Sequence, residues 1–269
     1  MIKLIKSTFY NEVKTKKRLC EFINSTNQLS MGLKCLEFEA QFSKYQKRRY
    51  SVFFNSGSSA NLALIQSLLN LSLLSQKDNV GFSAITWATN VMPLLQLQLK
   101  PIPLDVSLAN LNTCSSDLLI VLKTTKLKAF FITNLLGFCG DLDKIKKICK
   151  EEGIILIEDN CESLGSELNN FKLGNFGLAS TFSFFVGHHM STIEGGMVCT
   201  DDKDLYDMLL MVRSHGWDRN LDTNKKNNLR MENNINNFYS KYTFYYQAYN
   251  LRPTELQAFL GLEQLNYID

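Results

Sequence analysis

The chain has 269 residues, 45% of them hydrophobic and 20% charged, the composition of an ordinary globular protein with room for one large domain or two small ones. Its net charge of +3 is too balanced to mark a nucleic-acid surface, and basic clusters at 14–18 and 44–49 read as solvated helix faces. The opening seven residues lack the apolar core of a signal peptide, and the stretch 62–74 is too short and too often interrupted by polar residues to span a bilayer.

The apolar run 52–54 predicts a strand and 60–74 a helix. A strand over 80–83 precedes a helical stretch over 89–97. Residues 129–133 predict a strand leading into a helix over 142–152, where Leu142, Ile145 and Ile148 fall at helical spacing. The uninterrupted apolar run 154–157 is typical of a strand buried on both faces. Further strands are expected over 182–185 and 197–200, with a helix over 204–213. Such alternation implies a mainly parallel sheet covered by helices. The Asn- and Lys-rich stretch 222–237 reads as a mobile surface loop, and a last helix over 252–265 carries Pro253 in its first turn. No internal repeat is present.

Seven cysteines at irregular spacing, with no C-x-x-C pair, predict reduced cytosolic thiols rather than a disulfide framework or a zinc site. Asn55-Ser56-Gly57-Ser58-Ser59-Ala60 lies between a predicted strand and a helix. Gly57 lets the backbone approach a ligand, and Ser58 and Ser59 offer amides and hydroxyls to an anion at the helix N-terminus. A plain N-capped turn explains the motif about as well. Trp87 taken alone is a core tryptophan. Glu158-Asp159-Asn160-Cys161-Glu162 closes the buried strand, at the end where parallel sheets place ligands, although Asp159 could also serve as a cap or turn residue. His188 and His189 are adjacent. Neighbours on an extended chain point opposite ways, and no carboxylate or cysteine sits at ligand spacing, so the pair is not read as a metal site. The third histidine, His215, stands near Arg219; the two either face a substrate or belong to a turn.

The segment from Thr181 to Gly196, around Gly187-His188-His189, resembles the cofactor-lysine loop of the DegT/DnrJ/EryC1/StrS sugar aminotransferases. Those enzymes hold pyridoxal 5′-phosphate (PLP) as a Schiff base on a lysine, because an amine condenses with an aldehyde. His188 stands in the lysine's place. Imidazole forms no stable imine but moves protons near neutral pH. Acid–base chemistry is kept and the covalent anchor lost, a combination that resembles the sugar 3-dehydratase branch of the family. The resemblance runs from about Met31 to Leu265, with no clear match in the arm before it, and carries Gly57, Ser58, Trp87, Asp159, Ser183, His188 and Asn250 in order.

The resemblance implies an α/β fold, the large domain of a PLP-dependent transferase, with a mainly parallel seven-stranded-type sheet sandwiched by helices. It divides the chain into an N-terminal arm (1–30), a PLP-binding domain (31–250) and the start of a truncated C-terminal region (251–269). The family's small C-terminal domain would be missing, which would uncover apolar surface and part of the cleft. Gly57, Ser58 and Ser183 would grip the PLP phosphate, Trp87 would stack on the pyridine ring, and Asp159 would keep its nitrogen protonated. Glu162, where ordinary family aminotransferases tend to carry Gln, fits the dehydratase branch near the cofactor hydroxyl. The segment Tyr249-Asn250-Leu251-Arg252 through Gln257 resembles one whose asparagine reaches the partner subunit's PLP phosphate, which implies a homodimer.

One His-for-Lys branch carries an iron–sulfur cluster on four cysteines. Cys161 could match the first of them, but no cysteine follows Gly216, so no cluster is expected. The cluster-free branch, acting on a GDP-linked 4-keto-6-deoxy sugar, fits better. The implied function is cytoplasmic 3-dehydration of such a sugar for surface-polysaccharide (lipopolysaccharide O-antigen) biosynthesis. Glutamate would convert PLP to pyridoxamine phosphate, and His188 would act as acid and base, with His215 and Arg219 facing the substrate. A nucleotide-sugar aminotransferase and a truncated non-catalytic paralogue remain as alternatives.

Overall fold

Short β-branched and aromatic runs build one large sheet. The computed structural model describes residues 7–268; the first six residues of the expected arm, which hold most of the segment read against a signal peptide, and Asp269 lie outside them. The chain runs α1 (Glu12–Ser25), α2 (Leu33–Gln46), β1 (Tyr50–Phe54), α3 (Gly57–Asn70), β2 (Asn79–Ser83), α4 (Met92–Gln96), β3 (Lys100–Leu104), α5 (Ser115–Leu122), β4 (Ala129–Thr133) and α6 (Leu142–Glu151). It continues through β5 (Ile155–Asp159), a small hairpin of β6 (Glu167–Leu168) and β7 (Phe171–Lys172), then β8 (Ala179–Ser183), β9 (Gly196–Thr200), α7 (Lys203–Arg213), α8 (Thr223–Glu232) and α9 (Glu255–Leu265).

The sheet has seven strands in the order β1-β9-β8-β5-β4-β2-β3. Only β9 runs against the rest, pairing antiparallel with β1 and β8. Strand alternation sends side chains to two helical layers. On one face Val52, Phe54, Phe131, Ile157 and Val198 pack with α3 and α7. On the other, Phe53, Phe182 and Met197 meet Phe38 and Phe42 of α2 and Ala258 of α9. Phe130 and Leu156 meet Leu118 of α5 and Leu142 and Ile145 of α6 on that same face. This is the expected helix–sheet–helix sandwich.

Several boundaries differ from the sequence reading. The stretch 222–237 is not a structureless loop. Asp222 caps α8, accepting from the Lys225 amide at 2.9 Å, while Leu229 is buried and Arg230 pairs with Asp218 at 2.6 Å. Its polar composition hid a helix held by a cap and a single apolar anchor. Pro253 precedes the last helix rather than sitting in its first turn; Thr254 and Gln257 form a capping box and α9 starts at Glu255. The stretch 89–97 breaks into a 3₁₀ turn and the short α4, and the strand expected over 182–185 ends at Ser183. β3 escaped notice because it carries Pro101 and Pro103, tolerable on an edge strand.

The expected arm holds α1, which packs on α9. Phe22 stacks on Phe259 at 4.6 Å, and Arg18 pairs with Glu263 at 3.0 Å. Glu255 is 4% exposed and accepts from the amides of Gly32, Lys34 and Cys35 at 2.8–2.9 Å, which ties α9 to the start of α2. Among the described residues no helix is long and apolar enough to cross a membrane.

Candidate active site

The parallel strands end on one edge of the sheet, and their C-terminal loops enclose a cavity of about 870 Å³. Ser56, Gly57 and Ser58 follow β1; Trp87 and Thr89 follow β2. Thr133 ends β4, Asp159 ends β5 with Glu162 beyond it, and Ser183 ends β8, followed by Phe185, His188 and His189. Glu194 enters just before β9, whose reversed direction brings its N-terminal end to the same edge. Seven of the residues singled out from sequence, Gly57, Ser58, Trp87, Asp159, Glu162, Ser183 and His188, therefore line one space.

The start of α3 leaves the amides of Gly57 and Ser58 without intrahelical acceptors, while Ser56 Oγ accepts from the Ser59 amide at 3.1 Å. The turn is thus capped through Ser56, with the amides of the first two helical residues left over. The turn is pressed against β8: a Cβ on Gly57 would stand 2.6 Å from Ser183 Cβ and 2.9 Å from its Oγ. Gly57→Ala is expected to lower stability by about 1–3 kcal/mol through this overpacking, measured by urea denaturation. An unchanged midpoint would contradict the tight fit.

Alternation along β5 splits the Glu158–Asp159 pair. Glu158 is fully buried and accepts from the amides of Gly174, Phe176 and Gly177 at 2.7–2.8 Å, a structural clamp on the loop before β8. Asp159 faces the cavity, its Oδ1 accepting from the Cys161 amide at 2.9 Å and its Oδ2 from Asn61 Nδ2 at 3.2 Å. Burial, then the Asp159 carboxylate beside it, pushes the Cys161 thiol well above its ordinary range, so it carries no nucleophilic thiolate.

Trp87 is 73% exposed at the rim, which overturns the reading of it as a core side chain. Glu162 Oε2 accepts from the Leu136 amide at 3.1 Å. The His188 amide donates to the Phe185 carbonyl at 3.0 Å, and its ring lies edge-on to Phe185 with centroids 6.2 Å apart. Burial lowers the His188 pKa; the Glu162 and Asp159 carboxylates oppose that pull, and His189 adds to it. The shift favours the neutral imidazole, the form able to accept a proton. Among the described residues no group of three or more His, Cys, Asp or Glu is placed to hold a metal ion.

Asn250, His215 and Arg219 are not among the lining residues. Asn250 bridges to Ser214 and accepts from Arg252 Nε at 2.9 Å. His215 sits in a left-handed turn at φ +61°, its amide donating to the Tyr249 carbonyl at 2.7 Å. Arg219 lies over the Trp217 ring at 3.8 Å and donates to the Lys241 carbonyl at 2.6 Å. The sequence reading missed Thr89, Thr133 and Glu194 in the lining, and Asn61 behind Asp159. Thr133 carried a usable signal, since it ends a parallel strand as Asp159 does.

A helix start with free amides, a strand-end carboxylate and a half-buried histidine thus gather at the C-terminal edge of a mainly parallel sheet, where α/β folds place their ligands. The model of the DegT/DnrJ/EryC1/StrS aminotransferase family matches residues 11–269, reaching further into the N-terminal arm than the sequence motifs do. The chain belongs to that family. It is 39% identical over 245 residues to a GDP-4-keto-6-deoxy-D-mannose 3-dehydratase of Yersinia pseudotuberculosis, covering 90% of this chain and 62% of that protein. A crystal structure of GDP-4-keto-6-deoxymannose-3-dehydratase with a trapped PLP-glutamate geminal diamine superposes with a TM-score of 0.87 at 33% identity, over 100% of this chain and 68% of that one. A variant of that enzyme with bound GDP-perosamine gives 0.89 at 35% identity with the same coverage. The chain thus spans less than two thirds of the length of its curated dehydratase relative.

Proposed function

We propose that this protein catalyses the 3-dehydration of a GDP-linked 4-keto-6-deoxy sugar with PLP and pyridoxamine phosphate as cofactor and glutamate as amino donor. It would act as a cytoplasmic homodimer in deoxysugar biosynthesis for surface polysaccharides such as the lipopolysaccharide O-antigen. The observation that carries this reading is a histidine, His188, inside the cavity at the place where the family resemblance puts lysine. The named relatives add the substrate class and the glutamate. The exposed rim residues Trp87, Leu136 and Phe185 support cover by a second copy, to whose cavity Asn250 would contribute. Seven free thiols suit a reducing compartment.

The residues present fit PLP. When bound, it supplies an electron-withdrawing ring and, in its amine form, an amino group for the 4-keto carbon. The Gly57 and Ser58 amides and the Ser183 hydroxyl would hold the phosphate. Asp159 offers its carboxylate to the ring nitrogen, and Trp87 offers an open aromatic face. Neutral His188 would accept the proton whose removal drives loss of the 3-hydroxyl, and its imidazolium would then protonate that hydroxyl, which leaves as water.

This sets a pH dependence. Because burial lowers the His188 pKa, the base form persists below the ordinary 6.5 and is lost only as pH falls through the lowered value. A pH–rate profile should show its acid limb below 6.5. A limb at or above that value would place the proton on another group. Absorbance of the protein with PLP, before and after glutamate, tests the cofactor reading. Conversion of the aldehyde band to the pyridoxamine band is expected; a folded protein that shows none is not this enzyme.

A further inference from the structure

We propose that Asn61 is a positioning residue for Asp159, aiming its carboxylate into the cavity; this rests on the functional reading above. Asn61 lies on α3, one helical turn beyond Gly57, so it stands behind the anion-ready start of that helix. Its Nδ2 donates to Asp159 Oδ2 at 3.2 Å and to the Thr89 carbonyl at 3.3 Å. Both partners accept only, so the nitrogen rather than the oxygen must face them. One amide thereby links the α3 turn, the Trp87–Thr89 segment and the strand-end carboxylate.

The alternative is a packing role, and the surroundings argue against it. Asn61 is 1% exposed, and its Oδ1 is buried without a partner, an unfavourable placement for an acceptor. Its neighbours along α3, Ala60, Ala63, Leu64 and Ile65, are fully buried in an apolar cluster. A leucine of similar shape would suit that apolar cluster. What leucine could not supply is the donor to Asp159. With Oδ1 held by the Cys161 amide and Oδ2 by Asn61, the carboxylate is fixed from two sides.

The test uses the full chain, PLP as probe, and two variants. Asn61→Leu removes the donor and keeps the apolar environment. Asn61→Asp is near-isosteric, turns the donor into an acceptor, and serves if the leucine variant does not fold. The expected result is a folded Asn61→Leu protein with a PLP dissociation constant weakened about tenfold, as for loss of one charge-assisted hydrogen bond, and a diminished induced circular dichroism of the bound cofactor. Asn61→Asp should weaken PLP at least as much. Folded variants with wild-type affinity and an unchanged cofactor signal would overturn the proposal. If the wild-type chain binds no PLP, the functional reading fails first. The positioning claim is then decided by the crystal structure of Asn61→Leu: a rotated Asp159 supports it and an unmoved one overturns it.

Discussion

Replacing His188 with asparagine is expected to slow dehydration by about 10²–10⁴-fold, the usual worth of a positioned acid–base group. PLP affinity should stay within a few-fold of wild type. The proposed reading divides the labour in the cavity: phosphate and ring contacts would come from the α3 turn, Ser183, Asp159 and Trp87, and proton transfer from His188 on the loop after β8. In an enzyme anchored through a lysine, the same position would carry both cofactor attachment and proton transfer. Here the two separate. Turnover of the GDP-linked keto sugar and equilibrium PLP binding, measured side by side, check this. Loss of both together would mean that His188 holds the cofactor.

The second large effect concerns stability. Arg213 of α7 and Glu39 of α2 form an ion pair with exposures of 1% and 5%. Both also grip Phe53 of β1: the Arg213 guanidinium donates to its carbonyl and Glu39 accepts from its amide, each at 2.8 Å. Glu39→Ala leaves a buried guanidinium unpaired and Phe53 without its acceptor, and is expected to cost about 3–5 kcal/mol in denaturant unfolding. Converting both members together to apolar residues of similar volume should recover most of that loss, since a buried pair offsets its own desolvation only narrowly. If the single variant loses less than about 1 kcal/mol, the pair is more hydrated than its burial indicates. Phe53 lies just upstream of the Ser56–Ser58 turn, so this network holds the strand that leads into that turn.

Much of the cavity was legible through the family resemblance, and Asp159 also from its place at a strand end. Buried runs such as 154–157 locate a strand without any pairing information, and the next residues fall at its ligand-facing edge. Local patterns were silent on contacts between distant elements. Nothing near Asn61 announces that its amide meets Asp159, 98 residues later in the chain. Glu255 looked like part of a partner-reaching motif, yet its carboxylate caps α2. α8 was hidden by composition, because one buried leucine, one cap and two ion pairs leave almost no apolar period. Trp87 could not be assigned to core or rim without the loops around it.

The most direct test of the central claim is product analysis after incubating the protein with PLP, glutamate and GDP-4-keto-6-deoxymannose. A 3,6-dideoxy-4-keto sugar is expected, formed by wild type and nearly absent with His188→Asn. A 4-amino sugar as the main product would contradict it, since it would show that the residue in the lysine's place still completes amino transfer.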